Sequence, residues 1–148
     1  MKVEHPMPVT HARQTLKISA QIVIWVHLAL SLLHAVAHFG GNVNLPLLGD
    51  LYVFVVILIA PLVALFWLSR SLRWGGGLLA LAMAGSLIFG LLNHFVLPGI
   101  DNVAHVSGIW HTPFEISAYL LALLETAGTL LGLWIFAATR TSTQPAYK

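Results

Sequence analysis

Four stretches of the chain are apolar for about the 20 residues that a helix needs to cross a bilayer. They run from about Ile18 to Phe39, Leu51 to Leu68, Gly77 to Leu97 and Pro113 to Ala138. Breakers and charges separate them: Gly40-Gly41 and Pro46 after the first, Arg70 and Arg73 after the second, Pro98-Gly99 after the third. The last opens Thr112-Pro113-Phe114-Glu115, which reads as an N-cap, a proline at the first helical position and a capping-box glutamate. The pattern predicts an all-α integral membrane protein, a four-transmembrane-helix bundle with short loops and one domain over residues 1–148. The first sixteen residues and the tail after Arg140 read as short ends.

Composition agrees with that pattern. Of 148 residues, 58% are hydrophobic and only 8% are charged, against about 25% charged in an ordinary soluble domain. Such a chain has too little polar side chain to cover a soluble surface, and too much apolar side chain to stay disordered. There is no cysteine, which excludes disulfides, thiolate metal ligands and thiol nucleophiles.

The distribution of charge sets an orientation. Lys2, Arg13 and Lys17 precede the first helix, Arg70 and Arg73 lie between the second and third, and Arg140 and Lys148 follow the fourth. The loops Gly40–Gly49 and Pro98–Thr112 contain no Lys or Arg. The positive-inside rule then puts both termini in the cytoplasm, and the expected location is the cytoplasmic (inner) membrane of a bacterium. One alternative stays open: Ala35-Val36-Ala37 has the form of a signal-peptidase site, and cleavage there would leave three helices.

Eight histidines are many for a short membrane chain, and an ionisable group within a bilayer is a functional candidate by default. His5 and His11 fall in the cytoplasmic segment. His27, His34 and His38 share one stripe of the first helix, with Ser31 beside it, because seven and eleven residues are close to whole numbers of turns. His34, His38, His94, His105 and His111 gather at the extracytoplasmic end, together with Asp50, Asp101 and Glu115.

Three groupings carry candidate chemistry. His34 and His38, at i and i+4, can grip one metal ion, with His94 as a third ligand; the plainer reading is hydrogen bonding at a helix end. Asp101 and His105 would face each other on a short interfacial helix, as a carboxylate behind a ligating imidazole; alternatively Asp101 caps that helix. His27 and Glu125 both fall near mid-membrane, either as a proton relay or as one buried bond docking two helices.

The favoured function is a binding or redox module with an extracytoplasmic histidine cluster. Imidazole and carboxylate without thiolate suit Zn, Cu(II) or Fe. A haem b held between His34 and His94 is the other cofactor expected, since the two lie at similar depth on facing helices. Two further readings stand beside it: an accessory or assembly subunit of a larger membrane complex, and a proton or ion pathway through His27 and Glu125. The lipid bilayer is the expected partner, with a homo-oligomer or larger complex possible in geometry. A membrane hydroxylase would call for more histidine pairs than the chain offers. No nucleophile elbow, HExxH or dinucleotide fingerprint is present, and the scattered basic residues form no nucleic-acid stripe.

Small residues supply expected packing faces: Ala82, Ser86 and Gly90 on the third helix, and Gly128-x-x-x-Gly132 on the fourth. Pro61 should kink the second helix. Trp74, Trp110 and Trp134 read as interfacial anchors, and Trp25 as an interior residue.

Overall fold

The structure, a computed structural model, describes residues 9–139. Four long helices dominate it: α1 (Val9–Gly40), α2 (Leu47–Arg70), α3 (Leu72–Val96) and α4 (His111–Ala138). A single 3-10 turn, Gly108–Trp110, precedes α4, and no strand occurs among the described residues. All four are long and apolar enough to cross a membrane. Lys2, His5, Arg140 and Lys148 lie outside the described residues.

The helices begin earlier than hydropathy alone indicates. α1 starts at Val9, because Ala12, Arg13, Gln14, Leu16 and Lys17 are sound helix formers that carry the coil beyond its apolar part. Likewise α3 starts at Leu72 and includes all three glycines of Gly75-Gly76-Gly77, with Ser71 capping it through the backbone N–H of Trp74. These glycines are contact points. A Cβ on Gly75 would stand 2.5 Å from the Leu68 nitrogen, and one on Gly76 would stand 2.5 Å from Ile135 Cγ2. The expected capping box of α4 does not form. The helix begins at His111 with no side-chain cap, and Glu115 turns instead toward His111, at 3.9 Å.

α3 packs most closely on α4, α2 mainly on α3, and α1 mainly on α4. The GxxxG ridge lets α4 approach α3 closely: a Cβ on Gly132 would lie 2.6 Å from the Ala80 nitrogen. The helix end that bears Arg70 and Arg73 is filled by a compact apolar core, which includes Ala20, Ile24, Ala64, Leu79, Met83 and Ile135. Trp25 is 58% exposed, so the interior role expected for it is wrong. It lies about 160° around the helix from His27, on the outward face.

Two helices contain π-type turns. In α2 the segment Val53–Ile59 runs directly into Pro61, whose ring opposes the carbonyl four residues back and removes an N–H from the ladder. In α3 the last turn, Leu92–Val96, is π-helical and carries His94. Such widened turns occur often at functional sites.

Candidate metal centre

α1 turns one face into the bundle, and Ala20, Ile24, His27, Ser31, His34 and Ala37 are all buried along it. His34 is the centre of the site. Its Nε2 lies 3.1 Å from Nε2 of His38, one turn on, and 3.2 Å from Nε2 of His94 on α3. The donor atoms of the three residues all lie within 4.8 Å of one another, which makes a group able to hold a metal ion. The ligand–ligand edge of a tetrahedral site with metal–nitrogen bonds of about 2.0–2.1 Å is about 3.3 Å. The two histidine separations come close to that edge.

The other ring nitrogen of each histidine has its own partner. His94 Nδ1 is 3.0 Å from the carbonyl oxygen of Asp101, and His38 Nδ1 is 3.4 Å from that of Val43. His34 Nδ1 is 2.7 Å from Ser117 Oγ, whose own hydrogen has the Pro113 carbonyl to donate to, also at 2.7 Å. A carbonyl oxygen only accepts, so these partners favour a ring hydrogen on Nδ1 of His38 and His94, and the Ser117 hydroxyl, with its own hydrogen turned to Pro113, can accept one from His34. With the ring hydrogens on Nδ1, the three Nε2 atoms meet as three acceptors. Lone pairs at such separations repel unless a cation joins them. Ligating histidines characteristically donate their second N–H to a carbonyl or carboxylate in this manner.

Local turns build these supports. After α1, Asn42 adopts φ 55°, a left-handed conformation that asparagine tolerates, and the Val43 N–H donates back to the His38 carbonyl at 2.9 Å. That reversal brings the Val43 carbonyl to the His38 ring. Beyond α3, Val103 N–H donates to the His94 carbonyl at 3.0 Å, which folds the following loop over the His94 ring. Trp110 lies flat on Gly40, where any Cβ would stand 2.1 Å from its ring. Phe114, fully buried, packs on all three imidazoles, with centroids at 4.8, 5.0 and 5.3 Å.

Asp101 supplies the charge. It is 5% exposed, and Oδ1 lies 3.2 Å from both His38 Nε2 and His94 Nδ1. Neither approach has hydrogen-bonding geometry, and both carboxylate oxygens are buried without a hydrogen-bond partner. A buried carboxylate left in that state is costly unless a positive charge stands beside it. A divalent ion bound by the three histidines would supply one.

The expected Asp101–His105 pair does not form. Residues 100–105 are turns rather than a helix, and Asn102 organises them by accepting the Ala104 N–H at 3.0 Å. Asp101 therefore points inward to His38 and His94. His105 is exposed and its Nδ1 faces the Gly99 carbonyl, so it is no part of the cluster. His111 also stands apart, beside Glu115. The haem clamp between His34 and His94 is not supported either. Two axial nitrogens on one iron stand about 4 Å apart across a porphyrin plane, whereas these are 3.2 Å apart with Phe114 packed on both rings. Ser117, Phe114 and Val43 were not among the residues expected from sequence. Ser117 follows Phe114 by three residues, one helical turn, and that spacing was the available signal.

Deeper in the bundle, His27 Nε2 lies 3.1 Å from Glu125 Oε1, with both residues buried. A cavity of about 390 Å³ runs between the two sites. Its walls include His34, His38, His94, Asp101 and Glu125, together with the exposed Asn44 and Asp50 of the α1–α2 connection and the start of α2.

No family model matches the chain, and neither the curated proteins nor the solved structures contain a significant match to it.

Proposed function

We propose that this is a membrane-embedded metal-binding protein whose His34, His38 and His94 hold one divalent transition ion. The observation that carries this reading is the convergence of three Nε2 atoms, with the Nδ1 of His38 and of His94 on carbonyl oxygens and that of His34 on the Ser117 hydroxyl. Buried Asp101 adds the negative charge. Three neutral imidazoles with no thiolate suit Zn(II), Cu(II) or Fe(II). Three protein ligands beside a cavity also resemble a metal site with an open position more than a closed structural site. With the loops that lack Lys and Arg outside, the ion sits toward the extracytoplasmic face of a cytoplasmic membrane and both termini lie in the cytoplasm.

The packed core at the Arg70/Arg73 end favours binding over conduction, since the cavity does not reach into it. The test is elemental analysis with an absorbance spectrum of detergent-purified protein. Near-stoichiometric metal that disappears in the His34→Ala variant, without a Soret band, is expected. Protein that neither retains nor takes up Zn(II), Cu(II) or Co(II) overturns the reading.

A further inference from the structure

The cavity beside the histidines has two kinds of wall. Leu32, Phe39, Val53, Ile57, Phe89 and Leu121 make it mostly apolar, while polar groups are confined to its ends. At the outer end are the three histidines and Asp101. At the inner end are Glu125, Ser86 and Ser31, whose buried hydroxyl has no hydrogen-bond partner. The two ends are close: a Cβ on Gly90 would lie 3.7 Å from His94 Cδ2 and 4.0 Å from Glu125 Oε2.

The cavity also has a side opening. α1 packs mainly on α4 and α2 mainly on α3, so α1 and α2 meet only over a short stretch. The cavity wall includes both helices at that cleft, and its Leu32 and Phe39 are 62% and 83% exposed. The exposed neighbours there, Val36 and Phe54, are apolar, so the cleft opens onto a surface suited to hydrocarbon. The outer mouth, with Asn44 and Asp50, is suited to water and ions. Phe114 closes the side of the imidazoles away from the cavity, so the open position of a bound ion would face the cavity.

We infer that the cavity binds a membrane-dissolved amphiphile, an apolar chain with one oxygen-bearing, metal-coordinating head group, which enters between α1 and α2 and places its head on the ion held by His34, His38 and His94. The inference rests on the metal-binding reading above. The volume falls in the range of about 300–1,000 Å³ usual for small-molecule sites, and apolar walls with few convergent polar groups are their usual make-up. An ion-only site would not need an apolar chamber with a side cleft.

The experiment uses the full chain in detergent, loaded with Co(II), whose visible bands report its ligands. It is titrated with decanohydroxamic acid and with acetohydroxamic acid, which share a head group and differ in chain length. The same titrations are run on Ile57→Trp and Val53→Trp, which narrow the cavity from α2 and leave the histidines untouched. In the wild-type protein the ten-carbon compound should shift the bands at concentrations about tenfold or more below the two-carbon one, because buried methylene groups add affinity. That preference should collapse in at least one tryptophan variant that keeps its Co(II) bands. Micelle partitioning is common to all three proteins and cannot produce the difference. Equal potency of the two acids, or an unchanged preference in every variant that binds Co(II), overturns the inference while leaving the metal site standing. Absence of Co(II) bands in wild-type protein that holds no Zn(II) or Cu(II) either overturns both.

Discussion

His94, on α3, brings its Nε2 to 3.2 Å from Nε2 of His34 on α1, across sixty residues of sequence. A π-type turn at the end of α3 and a loop folded back on the His94 carbonyl set that approach. His34 is the hub, since it also lies 3.1 Å from His38.

Removing the hub should therefore remove the site. His34→Ala is expected to abolish stoichiometric metal binding, because the two remaining imidazoles no longer share a neighbour. His105→Ala should leave binding unchanged, since His105 is exposed and turned to Gly99. Elemental analysis of the two purified variants checks both outcomes, and equal metal content would contradict the arrangement.

The residues behind the ligands should matter less, but measurably. Asp101→Asn keeps the backbone carbonyl that orients His94 and removes the charge near His38. Ser117→Ala removes the acceptor for His34 Nδ1. Each should weaken metal affinity by about 10–100-fold, as read by competition with a chelator of known strength. Wild-type affinity in both would show that these contacts do not support the ligands.

Metal should stabilise the fold. The three ligands join α1 to α3, so an ion bound to the native state alone raises stability, by about 2.7 kcal/mol at a free concentration 100 times its dissociation constant. Thermal unfolding in detergent should show an increase on adding Zn(II) that the His34→Ala variant lacks.

The deeper pair separates structure from chemistry. Glu125→Leu leaves His27 Nε2 buried without its partner at 3.1 Å, and should cost about 1–2 kcal/mol. Glu125→Gln retains a hydrogen-bonding group and should cost less. Metal content should remain at the wild-type level in both. Denaturation in mixed micelles and elemental analysis read the two quantities on the same samples.

The ridge on α4 sets helix spacing. Gly132→Val would force side-chain atoms against the Ala80 nitrogen and the Gly76 carbonyl, 2.6 and 2.7 Å from the position of a Cβ. Backbone cannot yield as a flexible side chain can, so destabilisation of about 1–3 kcal/mol or more is expected. Gly99→Val, with open space around the glycine, is the control for a glycine that can be replaced.

Four apolar runs and their flanking charges determined by themselves that the chain forms four long helices, because helix length and hydropathy are local properties. The stripe of His27, Ser31 and His34 on one buried face was legible for the same reason, since 3.6-residue periodicity alone places them together. Helix ends were less legible: the third apolar run begins at about Gly77, and only the approach of Leu68 and Ile135 explains the place of Gly75 and Gly76 within α3. Which of the five histidines His34, His38, His94, His105 and His111 converge was decided by tertiary structure. His94 joins and His105 does not, because a turn organised by Asn102 sends Asp101 inward and His105 outward. Ser117 and Phe114 likewise acquire their roles only once α4 lies against α1. A metal centre depends on distances between side chains remote in sequence, and those distances are set by helix packing and loop reversal.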